Sequence, residues 1–334
     1  MEKFTIAKNE DIAWCPGCGN FTLLKIIQQA LKELDLDPLQ TVISSGIGQA
    51  AKMPQYIDLN FYNGLHGRGL PVALAIKMAN PNLTVIAEGG DGDMYGEGGN
   101  HFLHSVRRNP NILHLVHDNQ VYGLTKGQGS PTSTVGQKTS LQVNGVVNTP
   151  FNPIATAISL GATFVGRAFT GDMQGAKEII KEAIKHNGYA LVDIFDPCPT
   201  FNKTNTFKWY KEHTYKLEEH DPYDREKAIS LAFKNLDEEM FGLGIIYRKD
   251  NVPTMEENIE LRSEKVRHII GKVPPGIVCY GIIVITVVVV ALVLAAYFIP
   301  YPETVNGKVI ASGAEKSRIF IPYRYLNKVK DNMK

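Results

Sequence analysis

Two short polar segments of this 334-residue chain carry side chains that can bind a divalent metal ion. The segment 88–93 reads EGGDGD and follows an apolar stretch, and the segment 118–124 reads DNQVYGL and follows another. Asp91 and Asn119 lie 28 positions apart, which is about the length that a strand, a crossover helix and a second parallel strand need. Because the carboxyl ends of neighbouring parallel strands meet at one edge of a sheet, we expect the two side chains to lie together there.

The residue types at this edge favour magnesium and a phosphate group. A carboxylate, an amide oxygen and a main-chain carbonyl are hard oxygen ligands, which suit Mg²⁺ when substrate phosphates complete its octahedron. Gly89, Gly90 and Gly92 have no Cβ atom that would obstruct a diphosphate. The two segments therefore predict a site for Mg²⁺ and a diphosphate.

The elements that must position this site alternate along the chain. Apolar residues recur with helical spacing in some segments and form short continuous stretches in others. This alternation predicts an α/β fold, a doubly wound and mainly parallel sheet with helices on both faces. The predicted helices are 20–36, 70–78, 102–108, 154–160, 173–186 and 224–239, and the predicted strands are 40–45, 83–87, 112–117, 163–167, 190–195 and 244–247.

Composition narrows the class of protein. Apolar residues make up 44% of the chain and charged residues 21%, which suffices for a sizeable core and excludes a wholly disordered chain. A net charge of +1 gives no reason to expect nucleic-acid binding. Four cysteines exclude a disulfide scaffold, and residues 1–11 lack the apolar stretch of a secretory signal.

The segment 276–299 is a 24-residue apolar stretch without a charged side chain. A helix of that length can cross a hydrocarbon core of ~30 Å, so we predict a C-terminal transmembrane helix, with a buried core helix as the alternative. The predicted organisation is a cofactor-binding domain at 1–200, its C-terminal extension at 201–254, a linker at 255–275, the membrane helix at 276–299 and a tail at 300–334.

Several motifs occur in the order typical of one enzyme family. They are WCPGCGN at 14–20, LHGR at 65–68, GDGD at 90–93, GGNH at 98–101, RRN at 107–109, DN at 118–119, YGLTKGQ at 122–128 and PCPT at 197–200. Across about residues 1–250 these motifs resemble the β subunit, which binds thiamine diphosphate, of 2-oxoacid:ferredoxin oxidoreductases. From about Met255 onwards, with KVPP at 272–275 and YPETVNGKVI at 301–310, the chain bears a weaker resemblance to the anchor of secretion membrane-fusion proteins.

The resemblance implies a role for each residue that matches a motif. His66 and Arg68 would approach the phosphates or the substrate. Lys126 would pair with a substrate carboxylate, or it is a solvated loop lysine. Cofactor binding would fall to Gly90, Asp91, Gly92, Asp93, Asn119, Val121, Gly123 and Leu124, with Mg²⁺ held by the side chains of Asp91 and Asn119 and the carbonyl of Val121.

The resemblance also implies an activity and partners. The family decarboxylates a 2-oxoacid of the 2-oxoglutarate or pyruvate class, transfers the acyl group to coenzyme A and passes electrons to ferredoxin. Its α subunit supplies the glutamate that activates the cofactor, so we expect this chain to provide half of an active site, with its enzyme domain in the cytoplasm. The alternatives are a non-oxidative thiamine-diphosphate decarboxylase or ligase, and a membrane-anchored scaffold subunit.

Three cysteines raise the question of an iron–sulfur cluster. In many relatives Cys15, Cys18 and Cys198 together with a fourth cysteine would hold a [4Fe–4S] cluster. Gln49 stands where the fourth ligand is expected. The sequence therefore leaves open a cluster with a ligand other than cysteine, the absence of a cluster, and thiols that merely pack.

Overall fold

The computed structural model describes residues 3–8, 11–259, 275–298, 308–311 and 317–320. The chain divides into two units, Met1–Glu264 and Lys265–Lys334. The first unit contains both polar segments that the sequence singles out, and the second contains the apolar segment.

An eight-stranded sheet forms the centre of the first unit, with the strand order β2-β1-β3-β4-β6-β5-β8-β7. The pairs from β2 to β5 are all parallel, and only β8 pairs antiparallel to its neighbour β5. The strands are β1 (Thr41–Ser45), β2 (Asn60–Asn63), β3 (Thr84–Gly90), β4 (Ile112–Asp118), β5 (Phe164–Phe169), β6 (Tyr189–Phe195), β7 (Thr214–Lys216) and β8 (Phe241–Arg248).

Helices connect these strands, and polar side chains fix where several of them begin. Asn152, Asp172 and Asp224 each accept a hydrogen bond from a backbone N–H in the first turn of the helix that follows, which satisfies a donor that the helix itself leaves free. The helices of this unit are α1 (Asn20–Glu33), α2 (Gly69–Ala79), α3 (Gly99–Arg108), α4 (Pro153–Ser159), α5 (Met173–Lys185), α6 (Phe207–His213) and α7 (Arg225–Asp237).

Apolar side chains are buried on both faces of the sheet. Along the central strands, Ile43 and Ile86 pack in a cluster with α1 and α5. Val85 and Ala87 point to the opposite face and pack in a second cluster with α2, α3, α4 and α7. Helices therefore cover both faces of the sheet, which confirms the predicted doubly wound arrangement.

Three short elements lack a signal in the sequence. All four residues of β2 are exposed, so this edge strand shows no buried apolar residues from which it could be predicted. The helix α6 and the strand β7 are adjacent and short, at 7 and 3 residues. The strands β7 and β8 lie beyond residue 200 and belong to the same sheet as the earlier strands, and the predicted domain boundaries themselves stay a prediction.

The second unit contains a helix, α8 (Pro275–Phe298), and two antiparallel strands, β9 (Lys308–Ala311) and β10 (Ser317–Phe320). Side chains of α8 are described for residues 284–297. Within the described residues we find no helix with the length and apolar character needed to cross a membrane. The structure therefore does not support the predicted transmembrane helix or membrane anchor at 276–299.

The linker and the tail that the sequence predicts, 255–275 and 300–334, lie largely outside the described residues. Of the linker, 255–259 continue the first unit as a short helix. Of the tail, only the two short strands β9 and β10 are described.

Candidate functional site

The register of the sheet places four strand ends side by side. Gly90 at the end of β3 pairs with His117 near the end of β4, and Asp118 pairs with Phe195 at the end of β6. Ser45 at the end of β1 pairs with Glu88 of β3. The loops that follow these strands therefore leave the same edge of the sheet, as their spacing in the sequence predicts.

A pocket opens at this edge, and we call it the edge pocket. It brings together all eight side chains or backbone positions that the sequence assigns to cofactor binding, together with His66. The sequence does not assign the remaining residues of its wall to the cofactor, because they come from the loops after β1 and β4 and carry no distinctive chemistry. The wall consists of Ile47, Gly48, Gln49, Ala50, His66, Gly90, Asp91, Gly92, Asp93, Asn119, Val121, Tyr122, Gly123, Leu124 and Thr125.

Asp91 is buried in the wall of the edge pocket, with 1% of its surface exposed. Its Oδ2 accepts a hydrogen bond from the Thr132 hydroxyl at 2.6 Å. Burial raises the pKa of the Asp91 carboxyl to about 6. Because a cation at this carboxylate would offset the cost of burying its charge, the raised pKa is consistent with a metal-binding position.

The amide of Asn119 is oriented by its own loop. The Asn119 Oδ1 accepts a hydrogen bond from the backbone N–H of Val121 at 3.0 Å. A carbonyl-type oxygen has two lone pairs, so this oxygen can still ligate a metal ion. Asp91, Asn119 and the Val121 carbonyl thus supply the hard oxygen atoms that magnesium prefers.

A second buried carboxyl lies beside Asp91. The Thr132 hydroxyl is 2.7 Å from Oδ1 of Asp118 as well as 2.6 Å from Asp91. A hydroxyl has one proton, so it donates to only one of the two carboxyl groups at a time. Burial, followed by the charges of Asp193 and Asp91, raises the pKa of Asp118 well above its usual range, so Asp118 is the carboxyl that we expect to be protonated.

Two glycines at the edge are required by internal packing. A Cβ on Gly92 would lie 2.3 Å from a ring carbon of Tyr122, and a Cβ on Gly46 would lie 2.0 Å from a carboxylate oxygen of Asp93. A Cβ on Gly90 would instead meet its nearest atoms at 3.8 Å, an ordinary contact. The glycines therefore let Tyr122 and Asp93 pack against the loop, which sequence reasoning did not foresee.

Asp93 holds His66 at the mouth of the edge pocket. Its Oδ1 accepts from the backbone N–H groups of Ile47 and Gly67, at 3.1 and 2.8 Å, and lies 3.2 Å from Nδ1 of His66. The Asp93 side chain is 2% exposed and that of His66 is 43% exposed. Donation from Nδ1 to Asp93 leaves Nε2 as the ring atom that can accept a proton from a ligand.

Two of the predicted substrate-binding residues do not line the edge pocket. Arg68 is exposed, and its guanidinium lies 3.1 Å from Nε2 of His101. Lys126 is also exposed, and its backbone has a positive φ of 81°, which is uncommon for a residue with a side chain. The roles of Arg68 and Lys126 stay predictions.

A second pocket contains the cysteines, and we call it the cysteine pocket. Cys15, Cys18 and Cys198 line it together with Gln49, as their predicted association requires. The Oε1 atom of Gln49 is buried and has no hydrogen-bond partner among the residues that the structure describes. The other residues of its wall are Trp14, Asn20, Asn119, Gly123, Asp196, Pro199, Thr200 and Phe201.

The thiols themselves are not arranged as a finished metal site. Burial raises the pKa of the Cys18 thiol, and the nearby Asp196 carboxylate raises it further. In the part of the chain that the structure describes, no group of three or more His, Cys, Asp or Glu side chains is placed to hold a metal ion. The predicted iron–sulfur ligands therefore share a pocket, but a cluster-binding geometry is not confirmed.

The edge pocket and the cysteine pocket share part of their walls. Gln49, Asn119 and Gly123 line both. A ligand of the edge pocket and a group beside the thiols would therefore be separated by little more than these three residues.

Gly67 permits a stability prediction, because its backbone has a positive φ of 67°. A Cβ there would lie 2.5 Å from the backbone of Glu97 and Gly98. We expect Gly67→Ala to lower the free energy of unfolding, measured in urea, by at least about 2 kcal/mol. Gly99→Ala is the control because its Cβ would meet nothing within 4 Å, and a Gly67 variant as stable as this control would contradict the prediction.

Asp196 permits a prediction about pH. Burial, with smaller effects of Asp91 and Glu88, raises the pKa of Asp196 to about 7, although His117 lowers it. A carboxyl whose pKa is raised on folding stabilises the protein fully below its unfolded pKa of ~3.9, and this stabilisation is lost as pH rises through about 7.

We therefore expect Asp196→Asn to make the cofactor-free protein more stable than the wild type at pH 8, by roughly 1–3 kcal/mol, and this difference to be less than half as large at pH 5. Urea unfolding at both pH values measures the effect. A difference between the two proteins that does not change with pH would be evidence against a neutral Asp196 at low pH.

Comparison with known proteins agrees with the fold and the site. Residues 42–194 match the family model described as thiamine pyrophosphate enzyme, C-terminal TPP binding domain. Residues 198–264 match the model for the C-terminal part of the pyruvate ferredoxin oxidoreductase beta subunit. The sheet, the edge pocket and these matches define a thiamine-diphosphate-binding protein of the α/β class.

Individual relatives narrow this class. A 2-oxoacid:ferredoxin oxidoreductase subunit beta from Saccharolobus solfataricus is 45% identical over 75% of this chain and 86% of its own length. A 2-oxoglutarate oxidoreductase subunit KorB from Mycobacterium tuberculosis is 42% identical over 58% of this chain and 52% of its own length. The chain belongs to the β subunits of 2-oxoacid:ferredoxin oxidoreductases, which confirms the resemblance that the motifs carry.

A solved structure supports the same assignment. The 2-oxoglutarate:ferredoxin oxidoreductase from Magnetococcus marinus, with 2-oxoglutarate, coenzyme A and succinyl-CoA bound, superimposes with a TM-score of 0.73 at 35% sequence identity. The match covers 84% of this chain and 99% of that chain. The mainly parallel sheet is therefore of the thiamine-diphosphate enzyme type.

Proposed function

We propose that this chain, paired with an α subunit, catalyses the oxidative decarboxylation of a 2-oxoacid of the 2-oxoglutarate or pyruvate class. The bond between the carboxyl and keto carbons breaks, carbon dioxide leaves, the acyl group bonds to the sulfur of coenzyme A, and two electrons pass singly to ferredoxin. One observation carries the proposal: Asp91, Asn119 and the Val121 backbone line one pocket at the carboxyl edge of the sheet, in a chain of this family.

The residues of the edge pocket fit magnesium and thiamine diphosphate. Asp91 and Asn119 would hold Mg²⁺ through side-chain oxygens and Val121 through its carbonyl, and the ion would supply positive charge to offset that of the diphosphate. Gly90, Gly92 and Asp93 would line the diphosphate, and Gly123 and Leu124 would contact the cofactor beyond it. The cofactor, when bound, supplies an electron sink for the carbanion that decarboxylation generates.

His66 and Lys126 would act on the substrate side. His66 lines the edge pocket and lies beside Asp93, which suits it to transfer a proton. Lys126 would pair with a substrate carboxylate, and its positive φ supports a functional role because strained backbones cluster at such sites. Arg68 would contribute positive charge near the phosphates or the substrate.

The electrons would leave through the cysteine pocket. Cys15, Cys18 and Cys198 would hold an iron–sulfur cluster beside the edge pocket, but Gln49 stands where the family resemblance leads us to expect a fourth cysteine. This departure favours a second candidate function, a non-oxidative thiamine-diphosphate enzyme that decarboxylates or ligates a 2-oxoacid without ferredoxin.

Anaerobic co-purification with the α partner separates the two functions. The proposal predicts that the complex forms acyl-CoA from a 2-oxoacid and reduces ferredoxin or a viologen dye in the same assay. The non-oxidative alternative predicts carbon dioxide and an aldehyde or ligation product without reduction of the dye. A reconstituted complex that turns over none of a panel of 2-oxoacids would overturn both.

The same preparation tests the cysteine pocket. Iron and acid-labile sulfide bound in proportion to the β subunit, and lost in Cys18→Ser, would support a cluster held there. A preparation with dye-reducing activity but without iron bound to this subunit would contradict that part of the proposal.

A further inference from the structure

Thr132 lies between two buried carboxyl groups that belong to neighbouring strand ends. It is 4% exposed, and its hydroxyl is 2.6 Å from Oδ2 of Asp91 and 2.7 Å from Oδ1 of Asp118. Asp91 follows β3 and Asp118 ends β4, so one side chain joins the two elements that would hold the metal ion. Thr132 is 13 positions beyond Asn119, in a loop without regular structure.

The loop around Thr132 is itself fixed on the segment that contains Asn119. The Ser133 hydroxyl donates to the carbonyl of Gln120 at 2.6 Å, and the Gln137 side-chain amide donates to the same carbonyl at 3.0 Å. Gln120 has a positive φ of 57°, an uncommon conformation that these two donors help to maintain. Thr132 is therefore held in place by its neighbours as well as by the two carboxyl groups.

We infer that Thr132 is a positioning residue for the metal ion: its hydroxyl binds Oδ2 of Asp91 and thereby presents Oδ1 of this carboxylate to Mg²⁺. The inference rests on the proposed function, because it assumes that Asp91 is a metal ligand. Groups that bind a ligand side chain from behind fix its rotamer, and their removal typically weakens metal affinity by about 10–100-fold. Thr132 does not touch the ion or the substrate in this account.

A merely structural role for Thr132 makes a different prediction. If Thr132 only packed the loop, its hydroxyl could be removed without effect on metal binding, provided that the protein still folds. Thr132→Val keeps the volume and removes the hydroxyl, whereas Thr132→Ser keeps the hydroxyl and removes a methyl group. The pair of variants therefore separates the hydrogen bond from the packing.

The test measures the Kd of Mn²⁺ for the complex of this chain with its α partner, in the presence of thiamine diphosphate, from the electron paramagnetic resonance signal of free Mn²⁺. We expect Thr132→Val to raise the Kd by about 10–100-fold and Thr132→Ser to raise it by no more than about threefold. Thr134→Val is the matched control, because the hydrogen bonds of the Thr134 hydroxyl within the described residues, with Gln120 and Asn205, are both 3.5 Å long. We expect its Kd to equal that of the wild type.

Thermal unfolding without metal shows which variants are folded, and Thr132→Ala replaces Thr132→Val if the latter is not. A folded Thr132→Val or Thr132→Ala variant with the wild-type Kd would overturn the inference and leave the proposed function intact. An equal loss of affinity in Thr132→Ser would also overturn it, because the hydroxyl would not then be the group that matters. A wild-type complex that binds no Mn²⁺ with thiamine diphosphate would overturn the proposed function as well.

Discussion

Asp91→Asn should lower the turnover of the reconstituted enzyme at least ~100-fold. An asparagine keeps the size of the side chain but removes the negative charge that would neutralise Mg²⁺. Even the loss of a residue that only supports a metal ligand typically lowers metal affinity or activity by about 10–100-fold. The same change removes the buried charge of a carboxyl whose pKa burial raises to about 6, so the protein without cofactor should be at least as stable as the wild type. Loss of activity with retained stability is thus the expected combination.

The measurement is steady-state formation of acyl-CoA at saturating thiamine diphosphate and Mg²⁺, with urea unfolding of the cofactor-free protein in parallel. Asp58→Asn is the control, since Asp58 is exposed and does not line the edge pocket. Turnover within about threefold of the wild type in Asp91→Asn would remove Asp91 from the metal site.

His66→Asn should lower kcat about 100-fold while the affinity for thiamine diphosphate changes little. A positioned proton-transferring group typically contributes 10²–10⁴-fold, and His66 lines the edge pocket with its Nδ1 at 3.2 Å from Oδ1 of Asp93. Asparagine can still donate a hydrogen bond to Asp93 but cannot transfer a proton at neutral pH. The change therefore separates proton transfer from the shape of the loop.

The kinetic constants are measured with the 2-oxoacid that the complex prefers, and cofactor affinity is measured separately by calorimetry. His104→Asn is the control, because His104 lies on α3 and does not line the edge pocket. If His66→Asn weakened cofactor binding and left kcat unchanged, His66 would be a cofactor ligand and not a proton-transfer group.

Much of the sheet is predictable from the sequence because its strands are covered on both faces. Strands β3, β4 and β6 are buried nearly throughout, so each appears as a continuous apolar segment. The position of Asp91 and Asn119 at the same edge of the sheet then follows from the order of the strands, since each residue comes directly after a strand end. The edge strand β2 is exposed and leaves no such pattern.

Other parts of the site depend on contacts between distant residues, which local patterns cannot predict. Thr132 meets Asp91 across 41 positions, and His66 meets Asp93 across 27. A threonine in a loop has no periodic pattern that would reveal its partner. The prediction of a membrane helix rests on length and lack of charge alone, and the described residues give it no support.

A crystal structure of the complex of this chain with its α partner, soaked with Mn²⁺ and thiamine diphosphate, tests the central claim most directly. The account predicts an anomalous scattering peak about 2.1 Å from a carboxylate oxygen of Asp91 and from Oδ1 of Asn119, in contact with the diphosphate. A peak elsewhere, or a diphosphate bound away from both side chains, would contradict the account.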